Sequence, residues 1–289
     1  VIPDTQGYTQ DDSKNKNFEA KINWIIKNIE RKNVVFISHV GDIISNNLSY
    51  KVSQICPQRF FPGLINKDKQ QWERAKDSLK VLDHINQNIP YSIVPGNMDY
   101  DCKNNKVLAK AFKNYFRTSK YLNKEWILAS GPSHINLAQE FQISNKPVIH
   151  IGLEWLPSDK AIAFAQKTIT ANPMKPVIIT THEYLNPGYP ASRRGYGNTP
   201  NTDGNNNAEQ VFNKLIDPFP QVFLVLSGHL EGNGFLKSKT SLNRDVIQIM
   251  ADYSADPGGG NSWIKLISFD LDKKEIDFSN FSPTYKPGH

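Results

Sequence analysis

The sequence is short of cysteine: Cys56 and Cys102 are the two in 289 residues. Neither belongs to a C-x-x-C pair, so no cysteine-ligated metal site is indicated. One disulfide, in an exported protein, and two free thiols stay equally open. Long apolar runs are also missing. The longest, at residues 177–179 and 222–226, have strand length and fall far short of the roughly 20 residues of a membrane helix. Repeats, low-complexity tracts and linkers are absent, which leaves a single domain over residues 1–289 as the expectation. The 34 Lys and Arg outnumber the 28 Asp and Glu to give +6. They are scattered, so no nucleic-acid stripe is indicated. A solvated basic surface explains that charge, and a mild attraction for phosphate-bearing ligands is compatible with it. No signal peptide is visible. Val1 to Pro3 read as the tail of a strand, which a removed leader or an engineered truncation would each explain. Localisation is left open, with export slightly favoured, and nothing indicates an oligomeric state.

What is present is an alternation of short apolar runs and helical patterns, which predicts an α/β layered domain. Residues 18–32 read as a helix, with Phe18, Ile22, Ile25, Ile26 and Ile29 on one face. Strands are predicted at 34–40, 91–94, 147–153, 177–181 and 222–227. Helices are predicted at 72–86, 104–116, 158–170 (Ser158 as N-cap) and 208–216. The stretch from 116 to about 146 reads as less regular. A long Gly-, Pro- and Asn-rich loop spans 184–207, and loops of that length tend to be functional. Residues 246–250 and 263–281 read as antiparallel strands around a Gly258–Gly260 turn.

Five apolar runs end in residues of metal-ligand type. They are Asp4-Thr5-Gln6, Gly41-Asp42, Gly96-Asn97-Met98-Asp99, His182 and Gly228-His229-Leu230-Glu231. Ligands of open α/β sheets bind beyond the carboxyl ends of strands, and the glycines permit tight turns beside a bound group. One such fragment is usually a satisfied core histidine or a turn. Five in this order are a specific signal.

This order resembles the calcineurin-like metallophosphoesterases, whose pattern runs D-x-H, G-D, G-N-H-D/E, a lone His and G-H-x-H. The branch that opens with Asp-Thr-Gln is more similar. It shares His39 to Asp42, Asp252-Tyr253 with the following glycines and Trp263, and a Ser282 to Tyr285 ending. The resemblance implies two packed mixed β-sheets flanked by helices, with two divalent metal ions (Mn, Fe, Zn, Ni, Mg or Ca) at one edge. It assigns Asp4 and Gln6 to the first ion, Asp42 as the bridge, and Asn97, His182 and His229 to the second. Glu231 stands where the family has its second G-H-x-H histidine, which would make the first site all oxygen. Such a site favours hard ions over zinc. A solvent-facing Glu231 is the alternative.

Met98 stands where the family has a histidine able to protonate a leaving group, and Met has no proton to give. General acid catalysis is typically worth about 10²–10⁴-fold, so the expectation leans towards diesters with good leaving groups. Asp99 reads as a loop-stabilising carboxylate before a substitute acid. Arg193 and Arg194 are candidates for clamping a phosphate, or a solvated loop pair. Tyr184, Tyr189 and Tyr196 read as loop packing before cleft lining. His39 reads as a core histidine or one that braces a ligand, and His84, His134 and His150 as structural. The expected function is metal-dependent hydrolysis of a small phosphoester, carried by Asp42, Asn97 and His182. The rival is a degenerate member of the fold that binds a phosphorylated ligand or a partner protein.

Overall fold

Alternation along the buried strands sets the layers. In β8 (Val177–Thr180), Val177 and Ile179 join a core beneath α4 (Asp159–Thr170). Ile178 faces the other way, into a core with Phe141, Leu224, Leu226 and Ile249. A strand that is apolar on both faces must be covered on both. The computed structural model that shows this describes residues 1–45, 62–85, 89–103, 106–116, 122–131, 134–194 and 205–285.

β8 lies within a seven-stranded sheet of order β12-β13-β11-β8-β7-β6-β5. The four central strands are parallel: β13 (Asp245–Asp252), β11 (Val222–Ser227), β8 and β7 (Lys146–Gly152). β12 (Gly232–Lys239) closes one side antiparallel, and β6 (Leu137–Ile143) with β5 (Ile127–Ser130) the other. The β7–β8 crossover is α4, whose N-cap Ser158 accepts from Ala161 N. The β8–β11 crossover carries α5 (Ala208–Val211), continued by a π turn at Phe212–Ile216.

The second sheet is built of short pieces. β1 (Ile37–His39) pairs in parallel with β2 (Tyr91–Ile93), and Ile2 bridges His39 in parallel. Val1 exchanges backbone hydrogen bonds with Lys265 of β14 (Ile264–Asp270), which forms a hairpin with β15 (Glu275–Phe281). The outer face of this sheet packs on α1 (Asp12–Lys27), α2 (Pro62–Leu79) and α3 (Lys110–Tyr115) through Phe18, Ile22, Trp72, Leu79 and Phe112. The order helices, sheet, sheet, helices is the expected α/β architecture of two packed mixed sheets. Fully burying one such side chain contributes about 1.5–3 kcal/mol.

Local expectations fail in five places. Residues 246–250 and 263–281 do not pair across the glycine turn: β13 runs parallel to β11 in the large sheet, and β14 and β15 form their own hairpin. β3 (Asp101–Lys103) and β4 (Lys106–Leu108) pair antiparallel, and the helix expected over 104–116 begins at Lys110. The stretch read as irregular holds β5 and β6. Its alternation is masked by Gln139, buried in the core and donating to the Tyr91 carbonyl. β12 lay unread between His229 and β13. The long loop is partly ordered by the two-residue strands β9 (Leu185–Asn186) and β10 (Ser192–Arg193). Tyr196 and the Cys56–Cys102 pairing lie outside the described residues.

Candidate metal centre

Every parallel strand of both sheets that carries a candidate ligand delivers it at its carboxyl end. Asp4 follows Ile2, Asp42 follows β1, Asn97 follows β2, His182 follows β8 and His229 follows β11. The turns after β1 and β11 need unusual backbone: Asp42 has φ +50° and His229 φ +80°. Left-handed non-glycine residues cost about 1–3 kcal/mol and cluster at functional sites. Glycine is forced beside them. A Cβ on Gly96 would stand 2.1 Å from Asp42 Oδ1, and one on Gly228 1.9 Å from Asp4 Oδ1.

The nitrogen-containing half is tightly assembled. Asp42, His182 and His229 bring ligand atoms within 4.8 Å of one another. His182 Nε2 lies 2.9 Å from Asn97 Oδ1 and 3.2 Å from Asp42 Oδ1. His229 Nδ1 lies 2.8 Å from Asn97 Oδ1 and 3.2 Å from His182 Nε2. The remaining ring nitrogens have other partners. His182 Nδ1 is 2.9 Å from the Val40 carbonyl, so it donates there and Nε2 is the nitrogen turned to Asn97 and Asp42. His229 Nε2 faces the buried Glu183 carboxylate at 3.4 Å. Metal-binding histidines almost always hold such an outer partner.

The oxygen half is looser. Asp4, Gln6 and Asp252 are brought to the same edge, yet stand outside the tight group. Asp4 Oδ1, Gln6 Oε1 and Asp252 Oδ2 are buried atoms with no hydrogen-bond partner. Buried acceptors are normally satisfied, so these bare oxygens fit a cation. Glu231, expected at this half, is exposed at the start of β12 and is not brought to the group. The chain turns there into a solvent-facing hairpin.

Charge follows geometry in the metal-free protein. Burial, then Asp252, raises the Asp4 carboxyl well above the carboxylate range, and burial likewise raises Asp252. Burial opposes charge on His182, but Asp42, Asp4 and the Val40 carbonyl outweigh it and lift its pKa to about 10. Burial and the His182 charge hold His229 down at about 4. Lys21 of α1 is a buried cation near these carboxylates, its Nζ 4.4 Å from the Tyr8 ring centroid. Burial, against the pull of Asp4 and Asp252, lowers its pKa to about 7.

A brace ties the loops together. Asp99 accepts from Ile43 N, Ile44 N and Gly96 N at 2.8–3.2 Å. Burial and Asp42 push its pKa to about 7. His39 Nδ1 accepts from Gly41 N at 3.1 Å, so its Nε2 donates to Thr5 Oγ1 at 3.0 Å. Both residues hold the Asp4 and Asp42 turns in register and neither reaches the ligand cluster. Met98 contributes its backbone, donating to Asp42 Oδ1 at 2.9 Å.

The two loop arginines part company. Arg193 is turned away from the cluster. Its guanidinium covers the Phe212 ring at 3.9 Å and pairs with Glu209 at 3.0 Å, an arrangement that fits neither the phosphate clamp nor the solvated pair. Arg194 pairs with Glu183 at 2.8 Å, one residue removed from the ligands. Tyr184 is buried with its hydroxyl on Gln248, as loop packing. Glu183 and Asp252 had no expected role. Glu183 follows His182 in sequence, and Asp252 ends a mostly apolar strand as the other candidate residues do.

No protein-family model matches the chain. It is 26% identical over 296 residues to YvnB, an uncharacterized protein of Bacillus subtilis (strain 168). The match covers 99% of this chain and 20% of that protein, so the chain spans about a fifth of its length. Among solved structures, a dimetal phosphatase from Danio rerio aligns with TM-score 0.46 at 13% identity, over 81% of this chain and 77% of the other. Another solved chain aligns with TM-score 0.48 at 15% identity, over 92% and 96%. Likenesses of this size do not establish a shared activity.

Proposed function

We propose that this chain is a metal-dependent phosphoester hydrolase with a two-ion centre and a preference for diesters. One observation carries the reading. His182 Nε2, His229 Nδ1, Asn97 Oδ1 and Asp42 Oδ1 converge, while Val40 holds the outer nitrogen of His182 and the Glu183 carboxylate faces that of His229. Such convergence of imidazole nitrogens and carboxylate and amide oxygens suits a divalent cation. His182, His229 and Asn97 would hold one divalent ion, Asp42 would bridge, and Asp4 and Gln6 would serve the other. When bound, the ions supply phosphate binding and water activation.

The chain's own groups then set what can react. Asp42 is fixed by the Met98 amide and by its own left-handed turn. Preorganised groups of this kind lose little to reorganisation during reaction. Asn97 is placed to act on a substrate oxygen as well as on the ion. No proton donor stands at Met98, and Asp99 is committed to backbone amides. A leaving group that needs protonation is therefore served poorly, and this supports diesters over monoesters.

The test is hydrolysis of bis(p-nitrophenyl) phosphate beside p-nitrophenyl phosphate, across Mn, Mg, Ca, Zn, Ni and Fe, with Asp42→Asn as control. Diester turnover that exceeds monoester turnover and vanishes in the control is expected. No turnover of either by the wild type overturns the proposal in favour of a binding role for the cleft.

A further inference from the structure

We propose that Asp252, and not Glu231, completes the oxygen half of the centre with Asp4, Gln6 and Asp42, and that Ser254 orients it. The inference rests on the two-ion reading above and deepens it by naming the ligand set and the class of ion.

Asp252 ends β13, the parallel neighbour of β11. The same carboxyl edge that carries His229 therefore carries Asp252 one strand over. Its side chain is 1% exposed. Oδ1 accepts from Ser254 N at 2.8 Å, while Oδ2 has no partner. The hydroxyl of the same serine accepts from Gln6 Nε2 at 3.2 Å. This turns the amide so that Oε1 is the bare atom. Asp4 repeats the pattern, with Oδ2 accepting from His229 N at 3.0 Å and Oδ1 bare.

Three side chains thus each give one polar atom to the fold and leave one buried oxygen without a donor. A buried acceptor left unmade costs about 1–3 kcal/mol, and more when charged. Two of the three atoms are on carboxylates, and the nearby Asp252 charge adds to the cost of ionising Asp4. A cation seated among them would satisfy all three, although their oxygens are spread more widely than those of Asp42, His182 and His229. The donors are all oxygen, which selects a hard divalent ion such as Mn, Mg or Ca over Zn. Glu231, being exposed, contributes no buried oxygen to this group.

The experiment is a Mn²⁺ titration of chelator-stripped protein, followed by calorimetry and Mn²⁺ EPR, on the wild type, Asp252→Asn, Ser254→Ala and Glu231→Gln. The wild type is expected to take two ions. Asp252→Asn should weaken one of them by 10-fold or more, and Ser254→Ala by about 10-fold, the lower end for outer partners. Glu231→Gln should change neither. Metal-free Asp252→Asn should melt no lower than the wild type, because it loses a repelling charge. Weakening by Glu231→Gln with none by Asp252→Asn overturns the inference and leaves the two-ion reading standing. Unchanged affinity in Ser254→Ala overturns the orienting role and, if Asp252→Asn fails to fold, the inference as a whole. Fewer than two ions on the wild type overturns the two-ion reading itself.

Discussion

His229 turns Nε2 towards Glu183 Oε1 at 3.4 Å, a charge contact and not a hydrogen bond, and turns Nδ1 towards Asn97 and His182. Glu183 accepts from Trp155 Nε1 at 2.7 Å and pairs with Arg194, so its carboxylate is fixed from three sides. Glu183→Gln keeps the shape and removes the charge that favours Nε2–H on His229. The expected result is a 10–100-fold loss of affinity for the ion on the histidine side, with little change in melting temperature. Calorimetric titration with Mn²⁺ or Zn²⁺ measures it, and an unchanged affinity would make Glu183 a packing residue.

The candidate site was readable where a polar residue interrupts an apolar run. Asp4, Asp42, Asn97, His182 and His229 all announce themselves that way, and so does Asp252 after the run 246–251. Direction was not readable. Arg193 and Arg194 are adjacent, and neighbours on an extended segment point to opposite sides. One therefore reaches Phe212 and the other Glu183. Glu231 failed for a related reason: spacing from His229 could not show that β12 starts there and lifts the side chain into solvent. The α/β class was legible in the alternation of apolar runs and helical patterns, and the two-sheet layering only through the family resemblance. β6 was missed because Gln139, a buried polar residue with its own backbone partner, breaks the alternation.

That split between the arginines has a measurable consequence. Arg193→Ala removes a cation–π contact and an ion pair, and is expected to cost about 1 kcal/mol of stability while leaving phosphate affinity unchanged. Arg194→Ala frees Glu183 beside His229 and should weaken metal binding and raise the KM for a diester. Urea melts and phosphate competition on both variants separate these roles. Equal weakening of phosphate binding by both would restore the paired clamp.

Crowding at the turns gives a sharper structural test. Gly96→Ala would drive its Cβ to 2.1 Å from Asp42 Oδ1 and 2.7 Å from His182 Cε1. Overpacking of this kind costs about 1–3 kcal/mol, and here the atoms that must yield belong to the proposed ligands Asp42 and His182. Loss of stability together with loss of the histidine-side ion is expected in denaturant melts and metal analysis. Retained stoichiometry would mean that the turn relaxes without moving Asp42.

Acid should destabilise the fold independently of the metal centre. His150 is fully buried in β7, its Nε2 2.7 Å from Thr180 Oγ1, and burial holds its pKa down at about 3 against the ordinary 6.5. In the unfolded chain it takes up a proton as pH falls through 6.5, while in the fold it stays neutral. Below that value the unfolded state binds more protons, so stability falls with pH. The slope approaches about 1.4 kcal/mol per pH unit from this one residue and ends near its folded pKa. His39, lowered to about 3 by burial and nearby positive charge, adds in the same direction. Denaturant melts of chelator-treated protein between pH 7.5 and 4.5 should show the decline. His150→Asn should flatten it while lowering stability at neutral pH, since the Thr180 contact changes. A variant with the wild-type slope would mean that His150 is protonated in the fold and finds a partner for Nδ1, which has none in the structure.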